Sequence, residues 1–271
     1  SIFIENIEII DTASKGKSIA KHNGRAIFIK DGVPGDICDI TVFNKKKKYW
    51  EARIEKIHTY SKKRTTPKCE HFGICGGCKW QNMNYSSQLK YKQNEILNNL
   101  KKIGNIELPK ISKIIASENQ YFYRNKMEFT FSNKRWLTSK EIASKVKIID
   151  KNALGFHVPG MFDKVINLNN CHLQTDPSNA IRLSLKQFAD KNKLTYFDIR
   201  NQQGLLRNLM IRTTSTKDLM VLIQFFESDK KSIKLIMEHL KTSFPEITSL
   251  LYIINQKANN TMYDQEVICY S

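Results

Sequence analysis

The sequence has no long apolar segment, no export signal and few cysteines for its length. No apolar run approaches the roughly 18 residues that a membrane-crossing helix needs, and no signal peptide opens the chain. Six cysteines among 271 residues are few for a disulfide scaffold. These absences argue against a membrane protein or a secreted disulfide-rich domain, and they predict a cytoplasmic protein with reduced thiols.

Acidic residues are scarce relative to basic ones. The chain has 44 Lys and Arg against 26 Asp and Glu, which gives a net charge of +18 and a pI near 9.6. Such a charge attracts polyphosphate or an anionic membrane surface. Because no membrane segment is present, nucleic acid is the favoured partner. The length itself predicts one large or two ordinary domains.

Glycine is missing from residues 205–271, and the chain begins at Ser1 rather than at Met. It ends at Ser271, directly after the apolar stretch 267–270. These features predict a piece of a longer protein. A glycine-rich loop that cradles a cofactor after a strand has no place in the last part of the sequence.

Residues 1–60 are predicted to form β structure. Alternating apolar residues indicate strands near 3–10, 26–29, 37–43 and 49–57, with dense turn chemistry at 32–36. Short strands at this spacing predict a small OB-like barrel. The basic turn Lys45–Lys48 is either a solvated edge that blocks aggregation or an RNA contact. A polar linker follows at 61–68.

Residues 69–271 show both helical and strand periodicity, which predicts an α/β (α+β) domain. The expected helices cover 86–103, 176–192 and 229–244, and the expected strands 127–131, 152–158, 164–168, 206–213, 219–226 and 247–255.

Three thiols lie within ten residues, in the pattern Cys69-x5-Cys75-Gly-Gly-Cys78, and a fourth candidate follows at Cys171. Four thiolates suit either zinc or an iron–sulfur cluster. Three ligands from one loop and one from a distance favour the cluster, with zinc as the alternative. Gly76 and Gly77 would let the backbone turn tightly. His172 could replace Cys171, whereas Cys38 and Cys269 are expected to be buried core thiols.

The cysteine motif is accompanied by four further patterns along the chain: Gly16-Lys17 with Val33-Pro34-Gly35-Asp36, Tyr123-Arg124-Asn125-Lys126, Asn170-Cys171-His172-Leu173, and Leu206-Arg207-Asn208-Leu209-x-Ile211-Arg212. Together they resemble the iron–sulfur-containing RNA uracil-5-methyltransferases, in particular those of 23S ribosomal RNA with an N-terminal TRAM domain.

The resemblance implies a [4Fe-4S] cluster on Cys69, Cys75, Cys78 and Cys171. It implies a TRAM barrel at 1–60 that grips RNA, and a central iron–sulfur and RNA-binding domain at 69–271. In that family a C-terminal Rossmann-like domain binds S-adenosylmethionine and carries the nucleophilic cysteine. We expect this domain to be absent here, so no catalytic residue is assigned and the chain alone is predicted to be inactive.

Basic and aromatic side chains around the predicted strands are candidates for RNA contact, through phosphate pairing and base stacking. They are Lys79, Arg124, Lys126, Arg135, Trp136 and Arg207. A solvated strand face is the alternative for Arg124 and Lys126, and a core or hairpin aromatic for Trp136.

The sequence thus predicts the RNA-recognition part of an S-adenosylmethionine-dependent 23S rRNA uracil-5-methyltransferase. Its expected partner is ribosomal RNA, with no membrane contact and a monomeric state. The alternative is a stand-alone RNA- or ribosome-binding protein with a structural zinc site and no catalysis.

Overall fold

A computed structural model describes residues 2–144 and 150–271. The chain divides into two compact units. The first comprises residues 1–73 and 78–120, and the second comprises 74–77 and 121–271. The predicted domains, 1–60 and 69–271 with a linker at 61–68, stay a prediction. The compact units differ from them in that residues 78–120 belong with the first sheet.

The first unit is built on a six-stranded sheet with the order β1-β5-β6-β4-β3-β2. Its strands are β1 Ile2–Glu8, β2 Asp11–Thr12, β3 Ser18–His22, β4 Arg25–Ile29, β5 Ile37–Lys45 and β6 Tyr49–Thr59. The pair β4–β6 is parallel and the other pairs are antiparallel. Four of the six strands lie where apolar alternation predicted them.

The chain connectivity closes this sheet. β1 and β2 lie at opposite edges, yet only Ile9 and Ile10 separate them in sequence. Two residues span less than about 11 Å, so the sheet must curl until its edges meet. Alternate residues then point inward, and the core contains Ile4, Ile7, Ile9, Ala20, Ile27, Ile29, Cys38, Ile40, Val42 and Ala52. Cys38 is completely buried, as its place in a strand predicted.

The turn after β4 is held by a buried carboxylate. Asp36 is completely buried and accepts hydrogen bonds from the backbone N–H groups of Val33 (2.7 Å) and Ser61 (3.0 Å). The guanidinium of Arg64 donates to both carboxylate oxygens at 2.8 Å. This bidentate pair satisfies the charge and ties the start of the linker to the barrel.

Helix α1, Tyr85–Asn98, follows in the same unit and continues as a π-helical turn, Asn99–Ile103. Its first turn is capped by the Asn84 side chain, which accepts from the Ser87 N–H. Two of its isoleucines are solvent-accessible, since Ile96 is 60% and Ile103 81% exposed. The buried residue of the helix is Tyr91.

The second unit contains a seven-stranded sheet with the order β13-β12-β11-β10-β7-β8-β9. Its strands are β7 Lys126–Ser132, β8 Ala153–His157, β9 Val165–Asn167, β10 Leu206–Thr213, β11 Leu219–Phe225, β12 Ser249–Ile254 and β13 Ile268–Cys269. Among the described strands of this second sheet, only β11 and β12 pair in parallel, because helix α4 connects them. Cys269, expected in a core, is exposed on the short edge strand β13.

Three helices accompany this sheet: α2 Ser139–Ala143, α3 Ser178–Lys191 and α4 Lys230–Ser243. In α4 the buried residues Ile233, Ile236, Met237 and Leu240 recur at three- and four-residue spacing, which places them on one side. Asp229 caps α4. By contrast, α3 begins at Ser178 without a side-chain cap, so Asp176 does not start the helix as predicted.

Candidate functional site

Two of the four predicted ligand cysteines, Cys69 and Cys78, belong to the first unit. Both are partly exposed. The backbone N–H of Cys69 donates to the Gln81 side chain at 3.1 Å, and its carbonyl accepts from Phe72. Burial raises the pKa of the Cys69 thiol, and the neighbouring Cys78 raises it further. The two thiols are therefore close enough for their charges to interact.

The other two, Cys75 and Cys171, belong to the second unit. The N–H of Gly77 donates to the Cys75 sulfur at 3.4 Å, and the N–H of Gly76 donates to the His157 carbonyl at 3.2 Å. Neither glycine has a positive φ. Gly76 is required for a different reason from the one predicted, because a Cβ there would lie 2.8 Å from the His157 oxygen.

Cys171 is held against helix α3. The Asn179 side chain accepts from the Cys171 N–H at 2.9 Å and donates to the Cys171 carbonyl at 3.1 Å. Asn179 in turn accepts from the buried Arg182 guanidinium at 3.2 Å. Burial lowers the Arg182 pKa to about 10, while Cys171 opposes this shift. Arg182 therefore carries a positive charge at neutral pH, and it is close enough to Cys171 for the two groups to interact electrostatically.

Asn179 and Arg182 were not predicted as functional residues from the sequence. Their three-residue spacing in the helix that follows Cys171 places them on one helical side, but most helices contain polar pairs at this spacing. Within residues 2–144 and 150–271, no three Cys, His, Asp or Glu side chains form a group that could hold a metal ion. The four-cysteine ligand set thus stays a prediction, supported by the chemistry of the donors and by the charge beside Cys171.

Among the predicted RNA contacts, Lys79, Arg124 and Lys126 are exposed. Lys79 belongs to the first unit and Arg124 and Lys126 to the second. The Arg124 N–H donates to the Leu173 carbonyl, and the Lys126 ammonium lies 3.6 Å from Glu128. The neighbouring Phe122 and Tyr123 are 42% and 56% exposed. Aromatic and basic side chains therefore reach solvent side by side where β7 begins.

Arg135 and Trp136 are partly buried. The Arg135 guanidinium donates to Glu141 at 2.8 Å and to the Asp150 carbonyl at 3.1 Å. Arg135, together with Thr138, lowers the pKa of Glu141 to about 2. The Trp136 N–H donates to the Val165 carbonyl. Both residues thus have structural contacts, and they are less available to RNA than Arg124.

Arg207 is not an RNA-facing residue in this fold. Its side chain is 1% exposed and its guanidinium lies 4.6 Å from the Phe197 ring and 5.6 Å from the Phe226 ring. It donates to the carbonyls of Asn255, Lys257 and Asn259 and to the Asn260 side chain. The prediction for Arg207 is wrong because its donors are used in holding residues 255–260.

No protein-family model matches the chain. Among curated proteins it is 49% identical over 258 residues to an "uncharacterized RNA methyltransferase" of Bacteroides thetaiotaomicron, covering 94% of this chain and 57% of the relative. It is 42% identical over 269 residues to one of Porphyromonas gingivalis, covering 97% and 58%. The relatives are thus named as RNA methyltransferases, and the chain spans a little over half of their length.

Among solved structures, the chain is similar to a tRNA (uracil-54, C5)-methyltransferase of Pyrococcus abyssi in complex with S-adenosyl-L-homocysteine. The TM-score is 0.63 at 20% identity, and the match covers 96% of this chain and 54% of that one. At this identity the likeness concerns the fold.

The fold class was predicted to be a barrel and a central domain without the methyltransferase domain. This prediction is wrong. Almost all of the chain, from both units, aligns with a methyltransferase fold. The predicted fold class is therefore corrected to a fold shared with a methyltransferase over nearly the whole chain. The predicted inactivity rested on the absence of a methyltransferase fold and loses that basis.

In the described ranges, no helix has both the length and the apolar character needed to cross a bilayer.

Proposed function

We propose that this chain belongs to an RNA methyltransferase that transfers a methyl group from S-adenosylmethionine to C5 of uridine. The observation that carries the proposal is the high identity with RNA methyltransferases along nearly the whole chain. The fold likeness to a uracil C5 enzyme points to the position of methylation. The net charge of +18 suits an RNA substrate.

We assign no residue of the chain to the methyl donor. The turn after β11, in the parallel pair of the second unit, contains no glycine. A glycine-cradled site of the dinucleotide type therefore does not fit there, and no chemical step is derived through the donor.

Ribosomal 23S RNA is the proposed substrate, because the cysteine and TRAM-like motifs resemble the enzymes that act on it. A tRNA is the competing substrate, since the solved structure with the same fold is named for tRNA.

The test is deletion of the gene in its host, followed by mass spectrometry of nucleosides from 23S rRNA and tRNA. We expect 5-methyluridine to disappear from one position of 23S rRNA and to return when the gene is restored. Loss of 5-methyluridine from tRNA alone would identify tRNA, and not 23S rRNA, as the substrate. Unchanged 5-methyluridine in both RNAs would overturn the proposed function.

We further propose that Cys69, Cys75, Cys78 and Cys171 hold an iron–sulfur cluster. All four thiols are partly exposed, unlike the core residue Cys38, and thiolates are the usual ligands of such clusters. When bound, the cluster would supply a structural cross-link between the 69–78 loop and the segment at 171. Methyl transfer requires no electron from it.

Replacement of single thiols tests this assignment. Protein purified without oxygen should be brown and contain iron, and Cys78→Ser should lose most of that iron. Cys269→Ser, a change at an exposed thiol outside the motif, should retain it. Equal iron in both variants, or a colourless zinc-loaded protein, would refute the cluster.

A further inference from the structure

The first unit contains a cleft of about 480 Å³ between the barrel sheet and helix α1. This volume lies in the range of sites that enclose small molecules, roughly 300–1,000 Å³. Neither the cysteine motif nor the predicted RNA contacts lie in its walls.

One wall is a strip across four strands. Asp11, Ile19, Phe28 and Glu51 line the cleft and are register partners from β2 through β3 and β4 to β6. Register partners point to the same face of a sheet, here the face turned away from the barrel core. Tyr49 packs edge-on against Phe28 with ring centroids 5.1 Å apart. The strip therefore offers an aromatic platform with a carboxylate at each end.

The other wall is one side of the helix. Tyr91, Asn94, Glu95, Asn98 and Lys102 line the cleft, and their spacing of three or four residues places them on one helical side. Tyr91 is only 7% exposed. Within the described part of the chain, neither its hydroxyl nor the side-chain amides of Asn94 and Asn98 make a hydrogen bond. Polar groups that face a cavity without protein partners are suited to binding a polar ligand.

Some charged side chains around the cleft are already paired with other protein groups, and others are not. Lys17 pairs with Glu51, which also accepts from Asn44, and these contacts lower the Glu51 pKa. Glu95 accepts from Ser14 at 2.7 Å. Lys15 and Lys102 form no ion pair with any described residue, so their ammonium groups remain available for phosphate.

We propose that this cleft binds one unpaired nucleotide of the RNA whose base is adenine or cytosine. The proposal rests on the proposed function for the presence of RNA. The base would stack on Phe28, as unpaired bases stack on aromatic side chains. Its phosphates would meet Lys15 and Lys102.

The polar groups select the kind of base. Adenine and cytosine present an amino donor beside a ring-nitrogen acceptor, which matches a carboxylate together with an amide. Uracil presents carbonyl oxygens on both sides of its N–H, and these would face the carboxylates of Asp11 and Glu95. The cleft should therefore favour adenine or cytosine, and it is distinct from any position that takes the target uridine.

The experiment measures binding of labelled single-stranded oligo(A), oligo(C) and oligo(U) to the 271-residue chain by fluorescence anisotropy at one salt concentration. We expect oligo(A) or oligo(C) to bind about tenfold more tightly than oligo(U), the discrimination of a good paired contact. The Asn94→Ala/Asn98→Ala variant should lose this preference without weaker binding of oligo(U). Asn119→Ala, at an exposed asparagine outside the cleft, should keep it.

A second pair of variants separates the cleft from general charge. Lys102→Ala should weaken binding of oligo(A) more than Lys47→Ala, a change at the exposed hairpin tip. Circular dichroism checks that each variant folds. If the Asn94→Ala/Asn98→Ala variant does not fold, Tyr91→Phe is measured in its place.

Equal affinity for all three oligonucleotides, no binding of any, or an unchanged preference in the double variant would overturn the proposal. Because the readout is base preference and not methylation, this failure is distinguishable from failure of the proposed function in the gene deletion.

Discussion

At the scale of single residues, the buried carboxylate of Asp36 is the best example of a charge that the fold depends on. It is completely buried and has four hydrogen bonds, two from Arg64 and two from the backbone of Val33 and Ser61. Removing one partner of such a pair leaves the other charge buried and uncompensated, which is the costly case for an internal ion pair.

Asp36→Asn should therefore lower the free energy of unfolding by about 3 kcal/mol or more. Chemical denaturation followed by circular dichroism measures it. Asp31→Asn makes the same change at an exposed carboxylate 3.5 Å from Lys30 and should alter stability by less than about 1 kcal/mol. Equal effects of the two changes would contradict the role of Asp36.

His239 joins the two long helices of the second unit. Its ring stacks on Phe188 at 3.9 Å, Nε2 lies 2.9 Å from the Ser184 hydroxyl, and Nδ1 lies 3.4 Å from the Ser243 hydroxyl. Burial lowers its pKa below the usual 6.5. The neutral ring is therefore the form that the folded protein favours.

The pH dependence follows from this direction. In the unfolded chain the histidine binds a proton more readily, so its stabilising contribution is fully present above about pH 6.5 and is lost as the pH falls through the lower folded-state pKa. The Tm of the wild type should fall more steeply below about pH 6.5 than that of His239→Gln. A curve for His239→Gln that runs parallel to that of the wild type would refute the assignment.

At the scale of elements, the hairpin of β8 and β9 depends on a glycine. A Cβ at Gly155 would lie 2.1 Å from the Ile166 carbonyl oxygen and 3.0 Å from the Leu168 side chain. Backbone atoms cannot yield as a flexible side chain can, so the two strands would have to separate.

Gly155→Ala should therefore destabilise the protein by about 3 kcal/mol, at the upper end of overpacking effects. Gly24→Ala is the matched change. Gly24 has a φ of +74° with open space around it, so its cost should be limited to the backbone, about 1 kcal/mol. Thermal or denaturant unfolding measures the loss of stability in both variants. A smaller loss for Gly155→Ala than for Gly24→Ala would contradict the close approach of the two strands.

Elements differ in how well the sequence predicted them. Strong apolar alternation or helical spacing placed β7, β10, β11, α3 and α4 to within about two residues. The strands β2, β3 and β13 were missed because they are short or carry polar residues at exposed positions. Helix α1 was predicted from its spacing, but the structure alone shows that Tyr91 is buried while Ile96 and Ile103 are exposed.

At the scale of the whole molecule, the net charge of +18 would govern association with the proposed RNA substrate. Each Lys or Arg that neutralises a phosphate releases counterions, so affinity falls with salt. Arg124 and Lys126 are the exposed cations that we propose to contact RNA in the second unit.

RNA binding should weaken on the order of a hundredfold or more between about 50 and 200 mM salt. Arg124→Gln/Lys126→Gln should reduce the slope of log affinity against log salt by about 2, one for each lost phosphate contact. The control, Lys234→Gln/Lys241→Gln, removes two exposed charges on α4 and should leave the slope nearly unchanged. Identical slopes for the two double variants would exclude Arg124 and Lys126 as contacts.

The sequence by itself determined the net charge, the main strands and helices, and the thiol motif, because charge, periodicity and spacing are properties of the chain alone. Only the tertiary structure decided which polar groups are buried. Arg207 and Asp36 look like surface charges in the sequence, yet aromatic rings and backbone groups from distant segments enclose them. The cleft along α1 likewise exists only because four strands place their side chains opposite one side of a helix.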